Sequence, residues 1–559
     1  MDSSSSLLLV TLFVPLIGAI MTAASSAASL PRDIPRWMAL VVTGTTLILA
    51  AALIQAYPAG GAADQSFAAT EVAWLPASTG TSIHFSVGLD GLAVWLFGLT
   101  ALLCFTCVLV SWEAIADRPS LFFAMLLLLE FGCLGVFVAR DVILFYVFFE
   151  FTLIPLFFLI GIWGGEDRQY AANKFFLYTL AGSVVTFLGL LAIVLWAGPH
   201  GDPKAYSFLI SDLTKHLAEN PLPIDYQRWI FLALFAGFAI KVPLFPLHTW
   251  LPLAHVQAPS AGSVLLAGVL LKIGTYGFLR FNLPFLPDAT AEFAPWLLWL
   301  SVAGIIYGAL VALAQSDIKR LIAYSSVSHL GFCMLGLFAL NPLGLQGAVL
   351  QMVNHGISTG GLFAIVGMIY ERYHTREISQ LGGLATRTPL LAVFLLIFTF
   401  SSIGLPGMNG FAGEFLILIG MFQRGWSDAP ASLAWQLQCI SVLAVSGVVL
   451  GAWYMLWLVQ RTFFGPLKEP HAEGHHDHPI EDMSWREVAA LAPLCVFVFW
   501  IGLAPGYFLE RISPALNVAN RATEVFNQTA ASAPAAQPLV IHQPNSASAA
   551  TEAKRDAQP

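Results

Sequence analysis

Long apolar runs separated by short polar connections pattern nearly the whole chain from Leu7 to Leu503. A helix needs about 20 such residues to cross the hydrocarbon of a bilayer. Fourteen stretches qualify, centred near Pro15, Thr46, Leu99, Leu129, Ile154, Phe187, Phe238, Ala267, Gly304, Leu330, Gly361, Ser402, Val448 and Val498. The pattern predicts an all-α polytopic membrane protein of about fourteen helices. The first run, Leu7 to Ala24, lacks the basic lead-in of a signal peptide and is expected to stay as a span. The third opens with GLDGLAVWLFGLT, and only Arg140-Asp141 separates the fourth from the fifth. The longest polar connections run from Tyr57 to Ser86, Gly198 to Arg228 and Gly465 to Trp485.

Two spans carry breakers. In the seventh, Lys241 is followed by Pro243 and Pro246; the twelfth is interrupted at Leu405-Pro406-Gly407. Proline lacks the amide proton of the helical hydrogen bond and crowds the preceding turn. The freed backbone groups must be satisfied inside the protein or by cavity water. A broken helix beside an ionisable group points to an ion path.

Composition narrows the class. The chain is 57% hydrophobic and 10% charged, against roughly 25% charged in soluble domains. Its net charge of -8 gives no footing for nucleic acid. Lysine and arginine in the short loops set orientation. Arg32, Arg36, Arg118, Arg168, Lys174, Lys319, Arg320, Arg372, Arg376, Arg387, Arg461, Lys468 and Arg486 fall on one side. The other side holds fewer, so both termini are expected on the outer, periplasmic side. Cys104 and Cys107 form a C-x-x-C spacing inside an apolar span without a second pair, which reads as buried thiols rather than a metal site. The histidine-rich stretch His471 to Pro479 lies in a solvated loop and predicts at most adventitious metal binding. From about Ala515 the chain is rich in Ala, Pro, Ser and Gln and is expected to be disordered.

Few ionisable groups lie deep in the spans. Glu150, Lys241, Lys272, His329, His355 and Glu414 form a series, with Glu130 a weaker member. A charged group in hydrocarbon costs about 2.5–3.5 kcal/mol on insertion scales, so it faces a partner or a water path. Nothing here resembles a nucleophile–base pair for covalent catalysis, and no glycine-rich phosphate loop accompanies the series. The set suits proton relay. Glu150 and Lys241 would act as a tunable ion pair, since an opposite charge favours the ionised forms that burial disfavours. Lys272 would receive the proton, the histidines would bridge, and Glu414 would close the path at the outlet. The plainer alternative makes the pair static and the histidines bonded to backbone carbonyls between helices.

Spans four to eight and nine to thirteen each contain one broken helix, which suggests two units in inverted orientation. The expected organisation is residues 1–119 (helices one to three), 120–281 (first repeat), 294–465 (second repeat), 466–514 (loop and helix fourteen) and 515–559 (disordered tail).

KVPLFPLHTWLPLAHVQAPSAGSVLLAGVLLKIGTYGFLRF, DIKRLIAYSSVSHLGF and SSIGLPGMNGFAGEFLIL resemble the antiporter-like membrane subunits of respiratory complex I, NADH–quinone oxidoreductase, and the related Mrp-type cation/proton antiporters. The resemblance covers roughly Gly88 to Pro466. Within the family Glu414 stands where subunits L and N and the Mrp relatives typically carry lysine, and the chain ends soon after span fourteen, without the long lateral helix of subunit L. The resemblance implies inverted five-helix repeats with broken helices seven and twelve. It also implies Glu150 and Lys241 as coupling pair, Lys272 as central relay, and His329, His355 and Glu414 as the path to the outlet. It implies no cofactor in this chain; FMN, iron–sulfur clusters and the quinone would belong to partner subunits. Other complex I membrane subunits, L and N above all, would be neighbours, in a bacterial inner membrane. Leu253 and Gln257 depart from the family, which often has acidic residues there. Two other readings stand beside this one: a subunit of an Mrp-type antiporter or membrane-bound hydrogenase, and a lone transporter or structural spacer.

Overall fold

A computed structural model describes residues 2–27, 31, 33–58, 66–200, 204–470 and 480–532. Arg32, the His471–Pro479 stretch and residues 533–559 lie outside the described residues. The chain begins with α1 (Ser3–Ala27), α2 (Ile34–Ala56), α3 (Val94–Ala114) and α4 (Pro119–Val138). Next come α5 (Val142–Trp163), α6 (Arg168–Ala197), the short α7 (Ile210–Glu219) and α8 (Ile224–Lys241). Then follow α9 (Trp250–Gln257), α10 (Ser260–Phe285), α11 (Pro287–Leu313), α12 (Ile318–Phe338) and α13 (Pro342–Tyr373). The chain continues through α14 (Pro389–Ser402), α15 (Asn409–Trp426), α16 (Ala434–Thr462) and α17 (Trp485–Leu503), and closes with α18 (Gly506–Ile512) and α19 (Asn520–Ser532).

Among the described residues, twelve helices are long and apolar enough to cross a membrane. They contain twelve of the fourteen predicted centres. The other two, Phe238 and Ser402, fall on the helices that break: α8 stops at Lys241 before α9, and α14 stops at Ser402 before α15. Helices α10, α12 and α13 are enclosed almost entirely, whereas α1, α2, α6, α16 and α17 present much of their apolar surface outward. Exposed Trp229, Trp426 and Trp435 mark one end of the bundle and exposed Trp37, Tyr170 and Trp485 the other, as aromatic residues do at the two membrane–water boundaries.

Close backbone approach needs small residues where polar groups meet across helices. A Cβ on Gly237 of α8 would lie 2.0 Å from Thr186 Oγ1 and 2.7 Å from the Gly182 carbonyl of α6. Gly237→Val is therefore expected to cost about 1–3 kcal/mol by overpacking, measured as a lower thermal midpoint of the detergent-purified chain.

The Tyr57–Ser86 connection is not plain loop. It holds a hairpin of β1 (Phe67–Leu75) and β2 (Thr81–Leu89), with β3 (Tyr206–Ser207) parallel to β2. We call the end of the bundle carrying this hairpin the hairpin face; both described chain ends lie there, since Ser5 Oγ donates to Ala69 O (2.9 Å) and Trp95 Nε1 to Phe508 O (3.2 Å). Asp141 joins the hairpin to the bundle: its carboxylate caps α5 through the amides of Ile143 and Leu144 and also accepts from His84 N (3.0 Å).

The expectation of a disordered tail from Ala515 is corrected over the described part. Residues 513–519 form a 3-10 turn and α19 follows, docked on the start of α11. Ala519, Ala522 and Phe526 are buried: three apolar residues at helical spacing suffice to seat a short polar helix on an existing core, where none would fold alone.

Candidate functional site

The first break is closed by one aromatic side chain. Pro243 removes a donor, Leu244 N bonds back to Ala239 O (2.9 Å), and the orphaned Ile240 carbonyl accepts from Trp250 Nε1 (2.9 Å). This leaves Lys241 at the end of α8, 2% exposed, its Nζ without a hydrogen-bond partner and 4.7 Å from the Phe149 ring. The tunable pair with Glu150 stands separated in this structure: no Glu150–Lys241 contact lies within 4 Å among the described ion pairs. Glu150, half-buried on α5, keeps one carboxyl oxygen unpartnered and acts on Lys241 only at longer range. Glu130 on α4 is fully buried with both oxygens unpartnered. Neither meets the remaining series in direct contact.

The rest of the series does assemble. Lys272, fully buried at the centre of α10, donates to the Ala267 carbonyl and lies 2.6 Å from His355 Nδ1 on α13. The local helix is π-wound over Leu266–Leu270, and such bulges free carbonyls for side chains. The His355 and His329 rings lie 5.5 Å apart. On α12, His329 places Nδ1 3.2 Å from Glu414 Oε1 and Nε2 3.1 Å from Ser402 Oγ. Gln351 Nε2 donates to the same Glu414 oxygen (3.0 Å). Lys272, His355, His329 and Glu414 thus form one buried file from the centre of the protein to the second break.

That break is shaped by glycine. Gly404 and Gly407 adopt φ of +71° and +89°, where a side chain is strained. A Cβ on Gly404 would also come within 2.9 Å of Glu414 Oε2. Asn354 and Asn409 tie the restarted helix to α13: Asn354 Nδ2 donates to Asn409 O (2.7 Å), and Ser401 Oγ to Asn409 Oδ1 (2.5 Å). Between the histidines and this seam lies a polar cavity of about 10 Å³, lined by Ser358, Thr359 and Ser401, near the threshold that admits one water.

Three groups were not singled out in the sequence. Lys319, counted there as a loop charge, is 5% exposed and donates to Ala258 O (2.5 Å). It borders a cavity of about 270 Å³ on the face opposite the hairpin, shared with Gln257, Ser260, Tyr370 and Arg376. His255, fully buried on α9, has neither ring nitrogen partnered, stacks parallel on Phe363 at 4.5 Å, and has Lys319 and Lys272 as its charged neighbours. His248, also buried, stacks on Phe245 and lies edge-on to Tyr307. The histidines sit in the HTWLPLAH segment after the break, and an apolar surround is the only signal that would have marked them. Among the described residues no cluster of three or more metal-ligating side chains occurs.

A second buried ionic site stands on the hairpin face. Asp90 accepts from Arg140 and Arg280, each at 2.6 Å, and Arg280 donates to Tyr276 Oη (2.8 Å). Burial alone would push the Asp90 carboxyl up; the two guanidiniums outweigh it and hold the group well below the usual range.

Broken helices flanking a buried file of lysine, histidine and carboxylate define the class: polytopic membrane proteins of the antiporter-like type. The family described as NADH:quinone oxidoreductase/Mrp antiporter, TM, matches residues 139–441. The chain is 41% identical over 515 residues to NADH-quinone oxidoreductase subunit M of Rhodobacter capsulatus, covering 91% of this chain and 95% of that one. It is 38% identical over 508 residues to NADH-ubiquinone oxidoreductase chain 4 of Chondrus crispus, covering 90% and 96%. In structure it is similar to a chain of respiratory complex I from Thermus thermophilus with bound NADH (TM-score 0.79, 32% identity, 93% of this chain and 99% of that one). It also shares its fold with a chain of the Mrp complex from Dietzia sp. DQ12-45-1b (TM-score 0.76, 22% identity, 95% and 100%). The chain belongs to the NADH:quinone oxidoreductase/Mrp antiporter membrane family, in the branch of NADH-quinone oxidoreductase subunit M.

Proposed function

We propose that this chain is a proton-translocating membrane-arm subunit of an NADH–quinone oxidoreductase, with all fourteen predicted helices spanning a bacterial inner membrane and both termini on the periplasmic side. The observation that carries the reading is the Lys272–His355–His329–Glu414 file. Each member is titratable, and neighbours are in contact or within one water of it. A proton is taken up from the face opposite the hairpin through the Lys319 cavity, passes His255 to Lys272, and leaves through His355, His329 and Glu414 towards the hairpin face. Lys241, buried without a partner, is the group whose charge state biases Lys272. Glu150 approaches it only on rearrangement, so the state described is the separated one of the pair. NADH oxidation, flavin, iron–sulfur clusters and the quinone belong to partner chains, subunits L and N being the expected membrane neighbours. The two halves, residues 120–281 and 294–465, act as inverted half-channels that meet at Lys272.

In membrane vesicles carrying the assembled complex, Lys241→Ala and Glu150→Gln are each expected to lower proton translocation and the coupled quinone reduction. NADH oxidation by an artificial acceptor should stay normal. Pumping at the parental rate by either assembled variant would remove the coupling pair from the mechanism. Lys319→Met tests the uptake side: slower pumping with unchanged assembly is expected, because the buried cavity loses its one ammonium while the central file stays intact. Equal pumping would place the uptake elsewhere.

A further inference from the structure

An apolar slot of about 70 Å³ opens between α2, α3, α13 and α17 near the hairpin face. Ile54, Leu102, Val353, Ile357, Phe497 and Phe508 line it. Its mouth lies at exposed Ala51 and half-buried Gly98, on the outward-facing apolar side of α2. Walls left without partner atoms lose dispersion contacts outright, so the slot gains from a filler, and its lining admits only an apolar one.

A cation stands at the slot's end. Arg511 of α18 is 7% exposed and makes no ion pair among the described residues; its Nε has no hydrogen-bond partner. Its guanidinium lies 4.1 Å from the Tyr507 ring and 5.9 Å from the Trp95 ring. Trp95 and Phe508, 4.4 Å apart, close the same end of the slot. The neighbouring carboxylate, Asp90, is already shared by Arg140 and Arg280. An uncompensated guanidinium at the membrane boundary next to an apolar slot is complementary to a lipid with a negative headgroup.

We propose that the slot holds one acyl chain of an anionic phospholipid whose phosphate pairs with Arg511, and that this lipid braces the helix carrying His355. The slot's floor, Val353 and Ile357, lies on α13 to either side of His355. Leu99, also in the lining, is the nearest side chain to Gly356: a Cβ there would meet Leu99 Cδ2 at 2.5 Å. An occupied slot therefore limits how far α13 can move from α10, and so holds the 2.6 Å Lys272–His355 contact. The binding half of this inference stands on the slot alone; the bracing half rests on the relay read above.

The test uses the whole complex in lipid nanodiscs containing phospholipid with a photoreactive diazirine near the acyl terminus, and maps the crosslinks by mass spectrometry. Label is expected on the peptides holding Ile54, Leu102 or Phe497. Phosphatidylglycerol should label them about fivefold more than phosphatidylcholine, the effect of about 1 kcal/mol per basic residue at the surface. Arg511→Gln should abolish that preference, and Ala51→Trp, which fills the mouth from its exposed side, should remove the label. If Ala51→Trp fails to assemble, the headgroup preference and its loss in Arg511→Gln still decide. Equal labelling around the whole lipid-facing surface would mean an ordinary annular lipid and overturn the proposal. So would absence of label because a neighbouring subunit covers the slot. Loss of the label in Ala51→Trp with no change in pumping would keep the binding site and overturn the brace.

Discussion

Lys272→Ala is expected to lower proton translocation by the assembled complex about 100-fold, the lower end of what one positioned proton-transfer group contributes. Lys272 Nζ is the group in contact with His355, at 2.6 Å, and its other partner is a backbone carbonyl. Alanine leaves His355 without its hydrogen-bond partner among the described residues. Lys272→Arg sharpens the result. Arginine keeps the charge but does not give up its proton in proteins, so a relay fails with arginine almost as with alanine, whereas a structural cation is rescued by it. Proton uptake measured in vesicles, alongside NADH oxidation by an artificial acceptor, separates the two. Restored pumping in the arginine variant would assign Lys272 to packing and break the file at its centre.

Asp90→Asn is expected to destabilise the chain by about 3–5 kcal/mol, the cost of removing one partner from a buried ionic site. Asp90 is the only carboxylate on Arg140 and Arg280 among the described ion pairs, and the three residues join the start of α3, the α4–α5 connection and the end of α10. Amide replacement keeps the shape and leaves two guanidiniums uncompensated. The readout is thermal unfolding of the detergent-purified chain. pH dependence carries a sign as well. The folded carboxyl lies below its ordinary value, held there by two guanidiniums against the effect of burial, so at a given pH the unfolded state binds more protons. The site's contribution is complete above the ordinary value near 3.8 and is lost as pH falls below it. Stability of the parent should thus stay level from this source through neutral pH and drop at the acid end, while Asp90→Asn shows no such drop.

The parts of the molecule legible in advance were those that one element specifies by itself. Twenty apolar residues in a row require a membrane-spanning helix wherever they lie, and a proline beside a buried lysine requires a break, so α1 to α6 and the interruptions at Pro243 and Leu405 could be read from the chain alone. The buried ionisable series could be read for the same reason: a charge in hydrocarbon is costly enough to stand out. Other features were hidden because their signal is distributed. The β-hairpin is two short strands inside a polar connection. The last helix buries only Ala522 and Phe526, with Ala519 just before it, among its described residues, and it folds only because α11 supplies the surface. Lys319 counts as a loop charge until Ala258 and the cavity wall close over it.

The sequence by itself determined that this is a membrane protein, where its long apolar helices lie, where two helices break and which titratable residues are trapped among them. All of that follows from hydrophobicity and backbone chemistry, which act within a single segment. Only the tertiary structure decided which trapped groups meet. It joined Lys272 on α10 to His355 on α13 and His329 on α12 to Glu414 on α15, and it held Glu150 and Lys241 apart beside Phe149. Contact between residues 83 or 85 positions apart is set by how helices stack and by which glycines let them approach. No pattern along one helix encodes it.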